Sequence, residues 1–302
     1  MARAAGAGRI GLAVALAATL AGCGDAGLAR EDRQRIERVK EVVRNRPSQI
    51  DGPAEEGEPP LHLAVVDGYS SLVLWLLDRG ASPNARNRNG ESPLHVAAIY
   101  DNTKDRWFIR TLIRRGANPN EATDDGTTPL HVAAGYGEIP SIEALLEGGA
   151  DPRRLTTRRE TPLHVAAARS RADARAVVKL LVGHGANPNA RDAYERAPLH
   201  VAAMGGNTLF ATALLRSDAP VDLEGPGGRT ALHVAALGGD LPLVQQLLAH
   251  GADVNHRDRE GRTPLAEVIE RAAIQYPQGL GRPAHVDVVI EFLRRNGAQE
   301  DP

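Results

Sequence analysis

The 302-residue sequence predicts an all-α fold in which short helix pairs stack and project hairpin-like loops, and three observations carry that prediction. A heptapeptide recurs, as "SPLHVAA" from Ser92, "TPLHVAA" from Thr128 and Thr161, "APLHVAA" from Ala197 and "TALHVAA" from Thr230, with "PLHLAV" from Pro60 and a degenerate "TPLAEV" from Thr263. Its leucines fall at 61, 94, 130, 163, 199, 232 and 265, in steps of 33 or 36 residues. Between copies, a second apolar run with helical spacing ends near glycine and gives way to polar turn sequence. A unit this small cannot bury its own apolar face, so its stability has to come from stacking on neighbours.

Each element follows in chain order. At the start, Arg3 and Arg9 stand without an acid, and "IGLAVALAATLAG" runs 13 residues without charge up to Cys23. A positive flank and a short apolar core make a secretory signal, too short for a comfortable membrane span. Next, "REDRQRIERVKEVVRN" puts Ile36, Val39, Val42 and Val43 on one face of a helix that shields the end of the stack. Where "TPLH" stands, at Thr128 and Thr161, it marks a helix start: the threonine hydroxyl accepts from a first-turn amide, and proline loses nothing by having no N–H there. Leucine and the paired alanines give that helix a narrow inner face. Runs such as "SSLVLWLL", "SIEALL" and "LPLVQQLL" form the second helix, closed at "RGA", "GGA" or "HGA" by a left-handed glycine. Polar stretches such as "NARNRNGES" and "NHRDREGRT" are the projecting turns.

The heptapeptide and its period resemble the ankyrin repeat, over residues 29 to 299. The Leu-Ala-Gly-Cys box at 20–23 resembles the bacterial lipoprotein signal, in which the cysteine is acylated after cleavage before it. Together these divide the chain into a signal peptide (1–22), a lipidated linker (23–28), an N-terminal capping half-repeat (29–58) and seven repeats (59–299), the last degenerate with an inserted loop. The lipoprotein resemblance implies Cys23 as a lipid anchor and, with Gly24 rather than aspartate after it, an outer membrane facing the periplasm over the inner membrane. Removing 1–22 leaves 34 bases against 38 acids. Three-residue insertions around "YDNTKD" and "RSRADAR" lengthen the turns between helices in repeats two and four, and "QYPQGLGRPAH" interrupts the last pair. Arg159 and Glu195 stand where other fingertips have glycine, which predicts less regular tips there.

Lys+Arg 36 against Asp+Glu 38 leaves the chain near neutrality, which argues against nucleic acid as a partner. Hydrophobic residues make up 42% but aromatics only 3%, so the core is built from small aliphatic side chains. Six histidines (62, 95, 131, 164, 200 and 233) share one motif slot, where the ring can bond the capping residue and loop backbone. One per repeat along a row is architecture and not a converging metal site. No nucleophile elbow, phosphate loop or zinc-helix motif occurs, and Asp124, Asp125, Glu55 and Glu56 lie in turn sequence. The sequence therefore predicts no catalytic residue, metal, cofactor or small-molecule substrate. What remains is a surface for another protein. In ankyrin arrays partners meet the fingertips and the two positions after "HVAA", which implies Tyr100, Tyr136, Arg169 and Met204 on the inner helices and Arg158 and Tyr194 at tips, beside Arg88, Asn89, Asp124 and Asp125. Three of the five tyrosines fall there. The expected function is a membrane-anchored scaffold or protein-binding module; the alternative is an inhibitor or immunity protein occluding a toxic or degradative enzyme.

Overall fold

The computed structural model describes residues 29–52, 58–169, 173–276 and 283–300. The signal segment, Cys23, the linker to residue 28, Glu55 and Glu56 lie outside them, as do parts of the insertions at 170–172 and 277–282. Fifteen α-helices and no strand occur among the described residues. After α1 (Arg30–Asn45) come seven pairs: α2 (Pro60–Val66) with α3 (Ser70–Asp78), α4 (Pro93–Tyr100) with α5 (Trp107–Arg114), α6 (Pro129–Tyr136) with α7 (Ile139–Glu147), and α8 (Pro162–Arg169) with α9 (Ala174–Gly183). The remaining three are α10 (Pro198–Met204) with α11 (Thr208–Leu215), α12 (Ala231–Leu237) with α13 (Leu241–Ala249), and α14 (Pro264–Gln275) with α15 (Ala284–Arg295). The described residues form two compact units, one of those up to Ala133 with Pro140–Asp151, the other of Ala134–Ile139 with those from Pro152 onward.

In the first unit α2 packs on α3 and α4, and α4 on α5. Helix α1 buries Ile36, Val39 and Val43, as its amphipathic pattern predicts. Val42 is the exception, 41% exposed, because one further 100° step carries it off the buried stripe. The cap is tied down by polar contacts as well: Tyr69 donates to Asp32 Oδ1 at 2.7 Å, and Arg35 pairs with Asp67 at 3.1 Å. The insertion after α4 is organised by one buried carboxylate, Asp101, which accepts from the amides of Thr103 (3.1 Å) and Ile109 (2.9 Å). It thereby caps the first turn of α5 from a distance.

In the second unit the first helices form one layer, α10 between α8 and α12, with α14 beyond. The second helices form the other, α11 between α9 and α13, with α15 beyond. The seven motif leucines are 0–2% exposed. Each such burial is worth about 2 kcal/mol. The alanine pairs at 97–98, 133–134, 166–167, 202–203 and 235–236 are buried too.

The histidine row ties repeat to repeat. His95 Nδ1 accepts the Ser92 amide at 3.1 Å, which places the ring proton on Nε2; that nitrogen donates to the Thr127 carbonyl, 3.0 Å away in the next turn. The same pair of bonds joins His164 to Thr161 and Arg196, His200 to Ala197 and Arg229, and His233 to Thr230 and Arg262. His131 Nδ1 accepts the Thr128 amide at 3.2 Å. His62 keeps only the forward bond, to Glu91 at 2.8 Å, because Pro59 has no N–H; its Nδ1 is buried without a partner. At Ala266 there is no ring, and the Thr263 hydroxyl takes over, accepting from the Ala266 amide and donating to Gln299 at 2.7 Å.

The two fingertips without glycine are regular, contrary to expectation. Arg159 and Glu195 adopt the left-handed conformation at φ 57° and 62°, the slot that Gly90, Gly126 and Gly261 fill elsewhere. Thr156 N–H donates to Glu160 at 3.0 Å and Asp192 N–H to Arg196 at 3.0 Å, matching Asn87 to Glu91 at 2.9 Å. The closing bonds of the turn outweigh a local cost of about 1–2 kcal/mol per residue.

Candidate functional site

A fingertip is built by the side chain five residues before the motif. In the second unit, Asp192 Oδ1 accepts the amides of Tyr194 (2.8 Å) and Arg196 (2.9 Å), and Oδ2 meets the Arg196 guanidinium at 2.6 Å. Burial alone would raise the Asp192 pKa, but these donors prevail and hold it below the usual carboxylate range. Asp258 repeats the pattern with the Glu260 and Arg262 amides, both at 2.9 Å, and its pKa is lowered for the same reason. Asn87 accepts the same two amides in the first unit, from Asn89 and Glu91, while the Thr123 and Thr156 hydroxyls accept only the longer-range amide. Gly225 has no side chain at this position; its backbone lies so close to the His200 ring that a Cβ would sit 2.7 Å from it.

Arg196 then reaches outward. Its guanidinium lies over the Tyr194 ring at 4.8 Å, and Nη1 approaches Met204 Sδ at 3.9 Å. Tyr194 and Met204 are each 59% exposed. Arg158 joins this patch through the backbone, its carbonyl accepting the Ala193 amide at 2.8 Å. Three of the predicted residues, Arg158, Tyr194 and Met204, are thus brought together, with Arg196 as the link that the sequence reading missed. Its signal was available: an arginine four residues after an aspartate in the turn, at 192 and 196 and again at 258 and 262.

The other predicted residues are placed separately. Tyr136, in the second unit, is 58% exposed. Arg169 is exposed at the end of α8, near Gly135, where a Cβ would be 3.8 Å from Arg169 Cδ. Tyr100, in the first unit, is half-buried. Asp124 pairs backwards with Arg86 at 2.7 Å, and the Arg158 guanidinium faces Glu160 at 3.5 Å. Asp125 is drawn into its own turn by Thr123 and the Thr127 amide.

The last repeat of the second unit holds an ion-pair network. Arg262 meets Asp258 (2.8 Å), Glu260 (2.7 Å) and Glu270 (3.2 Å), and Arg229 pairs with Glu267. Burial raises the Glu267 pKa against the pull of both arginines. Among the described residues no group of three or more histidine, cysteine or acidic side chains is placed to hold a metal ion, and no helix is long and apolar enough to cross a membrane.

A family model of ankyrin repeats, three copies long, matches residues 29–121, 61–156, 94–192, 149–224, 168–258 and 199–276. The chain is 38% identical over 63 residues to the transient receptor potential cation channel subfamily A member 1 of Homo sapiens, 20% of this chain and 6% of that protein. It is 46% identical over 44 residues to Notch-regulated ankyrin repeat-containing protein B of Danio rerio, 15% of this chain and 40% of that protein. These matches span less than half the length of either relative. Among solved structures, the ankyrin repeat domain of Bcl-3 superposes with a TM-score of 0.63 at 30% identity, covering 80% of this chain and 100% of that one. The human ASB11 ankyrin repeat domain gives 0.63 at 24% identity, over 78% and 98%, a likeness of fold alone.

Proposed function

From the premise that the chain belongs to the ankyrin-repeat family, whose repeats are protein-interaction modules, we propose that it is a non-enzymatic scaffold that binds another protein at the cell envelope. One observation carries the binding reading: in a chain with 3% aromatic residues, Tyr136 and Tyr194 are more than half exposed while Phe108 and Phe210 are buried. Tyrosine and arginine dominate interface energetics because they bury large area with few torsions to freeze. The membrane part rests on the sequence alone. The box ending at Cys23 supports acylation there, and Gly24 supports an outer-membrane position facing the periplasm. Stable attachment needs two or more acyl chains, since one binds marginally.

The test is capture from the envelope fraction with the full chain as bait. Tyr136→Ala should leave circular dichroism and Tm nearly unchanged while partner recovery falls, as its side chain is 58% exposed; undiminished recovery rejects Tyr136 as part of the binding surface. Cys23→Ser should move the protein out of the membrane fraction, and unchanged fractionation rejects the anchor.

A further inference from the structure

The fingertip at 153–160, "RRLTTRRE", holds Arg153, Arg154, Arg158 and Arg159 against the single acid Glu160. All four arginines are exposed. In a chain that is neutral overall to within two charges this is a local excess with a definite address. We infer that this fingertip, with Tyr194 beside it, docks an acidic segment of a partner protein, a stretch rich in aspartate and glutamate; the inference rests on the protein-binding reading above.

Three observations converge on it. First, Arg154 and Arg159 make no ion pair among the described residues, whereas Arg86, Arg110, Arg115 and Arg262 are each paired within 3 Å of a carboxylate. Arg158 faces only Glu160, at 3.5 Å, with 63% of its side chain exposed. These guanidinium groups keep most of their donors for an incoming carboxylate, which they match as planar, bidentate partners.

Second, Arg159 is held at φ 57°, where glycine serves in three other fingertips. A side chain in that conformation costs about 1–2 kcal/mol. The turn's closing bonds offset it, Arg159 N–H to Thr156 at 2.8 Å and Thr156 N–H to Glu160 at 3.0 Å, while the guanidinium itself makes no ion pair among the described residues. Non-glycine residues held in such conformations concentrate at functional sites and ligand clamps.

Third, the neighbouring fingertip supplies apolar surface. The Ala193 amide binds the Arg158 carbonyl at 2.8 Å and sets the exposed Tyr194 ring, stacked by Arg196, beside the arginines. Leu155, 45% exposed, lies within the loop itself. Charge with interleaved aromatic and aliphatic area suits a peptide that carries both carboxylates and apolar side chains. A nucleic acid or an anionic bilayer favours a basic stripe that runs over many repeats, whereas this excess is confined to one fingertip and suits a short acidic segment.

The probe is a fluorescein-labelled, glutamate-rich peptide with tyrosines at both ends, titrated by anisotropy against the full chain. Binding should weaken as salt rises and fall about tenfold in Arg154→Glu with Arg158→Glu, while the exposed Arg216→Glu leaves it unchanged. The decisive variant is Arg159→Gly: it should raise Tm, by relieving the turn, and weaken the peptide. Stability and binding moving in the same direction would overturn the proposal, as would absent binding or indifference to the charge reversals. Tighter competition by single-stranded DNA or by phosphatidylglycerol vesicles than by unlabelled peptide would assign the patch to nucleic acid or lipid instead. Capture of the envelope partner separates the two readings. If Arg154→Glu with Arg158→Glu keeps the partner while Tyr136→Ala loses it, only the acidic dock falls; if neither loses it, the protein-binding reading falls as well.

Discussion

Asp192 holds Arg196 through two contacts, Nε at 2.7 Å and Nη2 at 2.6 Å from one carboxylate oxygen, while its other oxygen accepts the Arg196 amide. One buried acid therefore sets both the turn and the outward aim of the guanidinium over Tyr194. The exposed patch is only as well ordered as the carboxylate beneath it.

Asp192→Ala is expected to destabilise the chain by about 2 kcal/mol, because it strands two turn amides and an arginine that is only 20% exposed. Asp192→Asn, which retains one oxygen acceptor, should cost less. Urea denaturation of the three proteins measures this, and equal midpoints would show that the turn holds without the carboxylate.

Acid should weaken the fold from near pH 6.5 downward. Burial, set against the bond to the next turn's carbonyl, lowers the pKa of His62, His95, His164, His200 and His233 below 6.5. The unfolded chain then takes up protons first as pH falls. The stability these groups contribute is complete above 6.5 and is lost as pH drops toward their folded values, by up to about 1.4 kcal/mol per pH unit per ring. Asp101 and Glu267, whose pKa values burial raises, oppose this weakly as they neutralise. Urea midpoints at pH 7.5, 6.5 and 5.5 should fall progressively below 6.5, and a flat profile would show that the rings are not kept neutral by the fold.

Glu195→Gly should raise stability by about 1 kcal/mol, since φ 62° is free of steric cost only for glycine. Gly68→Ala, at φ 75° with open space around it, should move the other way by a similar amount. Thermal melts of the two variants check the pair, and a shared direction would mean that backbone conformation is not what sets stability at these turns.

Gly225→Ala has a different mechanism, because its φ is an unexceptional −111°. The added Cβ would lie 2.7 Å from His200 Cδ2 and Nε2, so the ring must shift and weaken its bond to Arg229. A loss of about 1–3 kcal/mol is expected. It should shrink in a His200→Ala background, and an undiminished loss there would place the clash elsewhere.

Local chemistry was enough to write down the helix pairs, their caps and the role of the recurring imidazole. Proline after a hydroxyl residue, paired alanines and a left-handed glycine each act within a few residues, and thirty-odd residues later they act again. Val42 shows the limit of that logic at the edge of an amphipathic stripe, where a single helical step separates burial from exposure. Cys23 shows another kind of limit, since the box that marks it is chemical text whose reading lies with processing enzymes rather than with packing.

Packing in three dimensions settled the surface. No pattern along the chain says that Arg86 takes Asp124, that Arg196 bridges Tyr194 to Met204, or that Arg159 accepts a glycine's conformation to keep its turn closed. Exposed charged side chains have many partners within reach at small differences in energy, so which contact forms depends on how adjacent turns are held. A helix start, by contrast, is decided by groups already bonded to one another through the chain, and for that reason it can be read before anything has folded.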